Sequence, residues 1–175
     1  MSTKDEITIA IKEAHQRAQD WFNAIPAANF FHREGNVWSA SDNVDHLIRS
    51  VKPVAKAMGL PRLALETMFG RPVNPSRMYE EICSMYRDAI AKGGQAGGSF
   101  LPDPIAPENM EQAKAELLNQ FAQAVEKLLA KLETWQEDAL DKIQLPHPLI
   151  GKLTVREMLY FSLYHILRHA SPEGD

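Results

Sequence analysis

The sequence holds a single cysteine, Cys83, in 175 residues. An internal disulfide is thereby excluded, and a thiol with no second cysteine nearby is a poor structural zinc ligand, so Cys83 reads as a small apolar core residue. No run approaches the ~18 uninterrupted apolar residues that a membrane-spanning helix needs. The opening MSTKDEITIAIK carries acids where a signal peptide is apolar, so a soluble, cytoplasmic protein without a membrane partner is expected. Positive charge is scarce as well: 19 Lys and Arg stand against 23 Asp and Glu, a formal −4, and the basic residues are scattered among the acids. With no basic field, the expectation is that nucleic acid is not a partner. β-alternation, an internal repeat, a glycine-rich phosphate loop and a G-x-S-x-G elbow are all missing.

What is present is helical periodicity, with 45% apolar residues, enough to build the core of one domain over 1–175. Ile7, Ile11, Ala14, Ala18, Trp21, Phe22 and Ile25 recur at threes and fours over 5–25, and Pro26 stops them. Ser39 with Asp42 forms a capping box that opens a second helix, 39–58, whose arc is Val44, Leu47, Ile48, Val51, Val54, Ala55 and Met58, with Pro53 inside it. Short helices are expected at 61–69 and at 75–92, the latter opened by Asn74 as cap and Pro75 in the first turn. The glycine- and proline-rich stretch 93–107 has no periodicity and is a long loop, either a lid or a linker. Met110, Ala113, Leu117, Phe121, Ala124, Leu128, Leu132 and Trp135 mark the longest helix, 108–137. QLPHPLIGK then breaks the pattern around His147, which reads as a turn histidine. Thr154 and Glu157 cap a last helix over 153–170. The expected fold is all-α, a four-helix bundle with the extra short helices in a crossover connection.

The last helix carries the chemistry. In LTVREMLYFSLYHILRH, His165 and His169 stand four residues apart, on one helix face with Met158, Phe161 and Ser162. That spacing is the one helical zinc sites use, since both rings can point at one ion. The alternative is a pair of histidines near a helix C-terminus, where positive charge suits the dipole. His46 lies off the centre of its own apolar arc among Asp42, Asn43, Arg49 and Ser50. It reads either as a surface histidine or as part of a polar strip facing a pocket at one end of a bundle. His15, beside the first stripe among polar neighbours, reads as a solvated or half-buried surface residue, and His32, in a connection, earns no more.

The stretch W-S-A-S-D-N-V-D-H-L from Trp38 to Leu47, followed much later by L-T-V-R-E-M-L…H-I-L-R-H, resembles the DinB-like superfamily, which includes DinB, YfiT and bacillithiol-transferase proteins. In that family one histidine of the second helix and an H-x-x-x-H pair of the last bind a divalent metal. The resemblance therefore implies His46, His165 and His169 as ligands of a divalent ion, Zn²⁺ or Ni²⁺, with a position left open. It further implies transfers involving a low-molecular-weight thiol and an electrophile, a hydrolase or a non-catalytic metal-binding module as alternatives, and a homodimer. Asp42, one turn before His46, is a candidate to orient its ring as well as a capping carboxylate. Arg49, one turn after, is a candidate to meet an anionic substrate group as well as an ordinary surface arginine.

Overall fold

Thr3, Ser39 and Thr154 each open a helix with a capping box: the hydroxyl accepts the amide of the third helical residue, and that residue's carboxylate reaches back to the cap. The helices they start are α1 (Lys4–Ala24), α3 (Ala40–Met58) and α7 (Val155–His169), and Asn109 caps the longest one, α6 (Met110–Glu133). Between them lie α2 (Ala27–Phe30), α4 (Arg62–Phe69) and α5 (Tyr79–Ala91). The computed structural model describes residues 2–170.

Each long helix buries the stripe that its periodicity marks, for example Ile7, Ile11, Ala14, Ala18 and Phe22 of α1. α3 packs along α6, α1 against both α6 and α7, and α7 against α3. Around the bundle the order is therefore α1, α6, α3, α7, which makes α3 and α7 neighbours. The all-helical expectation holds, and no helix among the described residues is long and apolar enough to cross a membrane.

Two local expectations need correction. The segment around His147 is a β-hairpin, β1 (Gln144–His147) and β2 (Gly151–Thr154), antiparallel with Leu145 opposite Leu153 and His147 opposite Gly151. Gly151 turns the chain at φ +83°, a conformation that L side chains rarely adopt. α5 begins at Tyr79 instead of at Pro75, because its would-be first turn is drawn away by tertiary partners. The Ser76 hydroxyl donates to Asp141 at 2.6 Å, and Arg77 bonds Glu157 through its backbone amide at 2.7 Å and through its guanidinium.

The start of α7 is anchored with unusual density. Arg156 is 2% exposed and donates to Glu137, Asp141 and the Ser2 carbonyl, while Glu157 accepts from Thr154 and Arg77. A buried guanidinium is tolerable only with partners of this kind, because an unpaired one carries the full desolvation penalty. The effect is to fix the register of α7, and with it the height at which its histidines stand.

Candidate metal centre

His46 projects from the second turn of α3 and His165 and His169 from the last turns of α7, and the packing of these two helices brings the rings together. One ligand nitrogen from each lies within 4.8 Å of the others. His46 and His165 are 4% and 2% exposed, and His169 is half-buried. The His46 and His165 Nε2 atoms face each other at 3.1 Å.

What holds the rings also determines which nitrogen carries the proton. The Phe100 carbonyl lies 2.7 Å from His46 Nδ1, and a carbonyl only accepts, so Nδ1–H donates and Nε2 keeps its lone pair toward His165. Asn43 Oδ1 lies 2.6 Å from His169 Nδ1. The Asn43 amide is oriented by its own Nδ2, which donates to the Ser39 carbonyl at 2.9 Å, so Oδ1 is the atom that meets His169. His169 thus also donates from Nδ1 and leaves Nε2 as a lone pair. Trp38 stacks on His169 at 6.1 Å and tilts against His46 at 4.9 Å, and Phe161 stacks on His165 at 4.8 Å.

All three imidazoles are neutral at physiological pH. Burial pushes His46 down, against the opposing pull of the Phe100 carbonyl and Asp45. Burial, then the neighbouring His169 and His46, puts His165 well below the ordinary value, and burial with His46 and Arg168 takes His169 to about 3. The donor set therefore fits a divalent ion on two counts. Neutral imidazole is the form that ligates, and zinc, nickel, copper and iron all accept it. Nitrogens at ~2.1 Å from a tetrahedral ion stand ~3.4 Å apart, so the widest spacing, at most 4.8 Å, closes by no more than about 1.4 Å through side-chain rotation.

The other candidates take different places. Asp42 is 1% exposed and holds the Ser39 cap while pairing with Arg33, so its carboxylate is committed to the start of α3 and the residue that braces a histidine is its neighbour Asn43. Burial would raise the Asp42 carboxyl, but the bonds from Arg33 and Ser39 outweigh it and hold it below the usual range. Arg49 is paired with Asp45 at 2.8 Å and with Asp103. His32 is exposed, and His15, in the middle of α1, packs edge-on against Phe121. His147 is buried beside Phe161, its ring 4.2 Å away, and burial alone takes it down to about 4.

The loop 93–107 reaches this centre. A 3-10 turn at Gly98–Phe100 packs on α3, delivers the Phe100 carbonyl to His46 and is fastened by Arg49, Asp45 and Asp103, whose backbone amide donates to Asp45. Of the two readings of this stretch, a lid over the site is the one its contacts describe.

A model of the DinB superfamily matches residues 10–171. No curated protein matches the chain. Among solved structures, the crystal structure of the colibactin self-resistance protein ClbS in complex with a dsDNA is similar at TM-score 0.55 and 17% identity, over 97% of this chain and 92% of that one. This neighbour overturns the expectation that acidic charge excludes nucleic acid, since a protein of the same fold has been crystallised on a duplex. A charge summed over a chain does not decide that class, because phosphates meet one face and are also bound by neutral donors and backbone amides.

Proposed function

The chain belongs to the DinB superfamily, and from that membership and the convergence of its three histidines we propose that it binds a divalent metal through His46, His165 and His169 and works as a metal-dependent transferase using a low-molecular-weight thiol. The observation that carries this reading is the tautomer pattern: Phe100 and Asn43 turn the Nδ1–H bonds of His46 and His169 outward, so that their Nε2 lone pairs and the His165 ring meet in one place. When bound, an ion there supplies the positive charge that lowers the pKa of a thiol beside it and favours the thiolate. The chain's own residues do the rest. Three neutral ligands leave that charge uncompensated, the 93–107 loop shields the centre from water, and the adjoining cavity holds the electrophile. Attack by the sulfur then forms the S–C bond while the leaving group departs with its bonding pair.

Metal analysis of untagged protein tests the first half: about one divalent ion per chain is expected, lost in His165→Ala and retained in His15→Ala and His32→Ala. Equal loss in all three variants refutes the ligand assignment. For the second half, the cobalt-substituted protein should gain a thiol-to-metal charge-transfer band with a small thiol, and an electrophile should be consumed only when that thiol is present. Turnover without thiol favours a hydrolase, and stoichiometric metal without any turnover favours a binding module. Duplex DNA is a second candidate partner because of the complex formed by the similar fold. Titration of a labelled duplex reads it, with affinity falling steeply as salt rises if phosphate contacts are made.

A further inference from the structure

Beside the histidines lies a cavity of about 250 Å³, with His46 and His165 in one wall. The rest of its lining is mainly apolar, with Val54, Leu145, Met158 and Phe161 from the core and Phe100 from the loop, and no Asp, Glu, Lys or Arg lines it. In the metal-free protein a charged ligand would leave water for a space with no counter-charge, at a cost that a neutral one avoids. Size narrows the class further. An apolar cavity of ~150 Å³ holds benzene, so this one has room for a body of one or two rings.

Besides Tyr86 and Gln95, a polar edge of the hairpin lines that space. His147 Nδ1 accepts from the backbone amides of Leu149 at 3.1 Å and Ile150 at 3.3 Å, which places the ring proton on Nε2. With Nδ1 committed to the hairpin turn, Nε2–H is the edge left to the cavity that His147 lines, and no described residue bonds it. Ser50, also in the lining, gives its hydroxyl hydrogen to the His46 carbonyl. A donor that opens on a cavity without a protein partner is free to bond an acceptor on whatever occupies it.

We propose that this cavity takes a neutral electrophile of one or two rings bearing a hydrogen-bond acceptor, and that His147 positions it by donating from Nε2. The proposal rests on the transferase reading for the ligand's reactive end, which faces His46 and His165. His147 is a positioning residue in this account, and the hairpin exists at the site to present it.

The test is a titration of the full-length protein, metal-stripped so that no ion at the histidines attracts an anion, with three probes of one shape: 1-indanone, indane and indane-1-carboxylate. Indanone is expected to bind about tenfold tighter than indane, the size of one hydrogen bond, and the carboxylate at least tenfold more weakly than indane. Two variants separate the functions of the ring. His147→Asn keeps an acceptor for the turn but cannot reach with a donor, so the preference for indanone over indane disappears. His147→Gln carries a donor at the Nε2 position, so the preference survives. Carboxylate binding as tight as indanone, or an unchanged preference in His147→Asn, overturns the proposal, and the ranking of probes on the unaltered protein does so without any variant. The preference for indanone over indane is expected with and without zinc, whereas thiol-dependent turnover needs the metal. Intact binding without turnover therefore strikes the transferase reading alone.

Discussion

Replacing Asn43 by alanine removes the acceptor that holds His169 Nδ1–H at 2.6 Å, without touching any ligand nitrogen. Partners of this outer kind are worth ten- to a hundredfold in metal affinity. The structure argues for the lower end of that range, because the His169 ring keeps its stacking on Trp38 and its place on α7, and His46 keeps the Phe100 carbonyl. The expected loss is about tenfold in zinc affinity, or ~1.4 kcal/mol, read by competition with a chromophoric chelator. The control is the adjacent residue. Asp42→Asn removes the buried capping carboxylate and its Arg33 pair, which should cost about 1–2 kcal/mol of fold stability and leave zinc affinity within about twofold of the parent. Asn43→Asp, with a charged acceptor in the same place, should match or exceed the parent. If Asn43→Ala binds zinc as tightly as the parent while Asp42→Asn does not, the assignment of the bracing role is wrong.

Acid should unfold the metal-free protein early. His147 titrates near 6.5 when unfolded but at about 4 when buried, and His165 and His169 are lowered too. The unfolded chain therefore binds more protons between these limits, and stability rises with pH until about 6.5 and is level above it. His147 alone contributes about 2 kcal/mol of destabilisation at pH 5, so denaturant midpoints should drop between pH 7 and 5, and less steeply in His147→Gln; equal midpoints at both pH values in the parent would contradict the burial argument. Arg49→Ala should loosen the 93–107 loop, seen as faster proteolytic cleavage there, while costing less than about 1 kcal/mol in stability, since Asp103 is largely exposed. Unchanged cleavage would mean that the Arg49 pairs do not hold the loop.

The bundle was legible because its signals are long. Stripes of 15 to 24 residues and four capped starts leave little freedom, and α1, α3, α6 and α7 lie within a few residues of 5–25, 39–58, 108–137 and 153–170. The misses are short. Strands of four residues with two prolines nearby carry no readable alternation, and what pairs them is a turn closed by His147 Nδ1. The start of α5 obeyed partners 65 and 80 residues away, Asp141 and Glu157, over the local preference for proline in a first turn. At the centre, the juxtaposition of His46 with His165 and His169 follows the resemblance, but Asn43 was hidden behind Asp42. The signal was in the cap: a capping box already commits Asp42, leaving the next polar side chain on that strip to face the histidine.

The tether between the loop and His46 is made by main chain, through the carbonyl of residue 100 and not its side chain. Every amino acid brings that carbonyl. Substitution along Gly93–Pro107 can thus reshape the ceiling of the cavity, where Gln95, Ala96 and Phe100 point their side chains, while the proton on His46 stays where it is. Heredity can edit the lock's wards without moving its bolt. A library randomised at these three positions should diverge in ligand preference and still load metal alike, which makes the loop the natural place to retrain this scaffold.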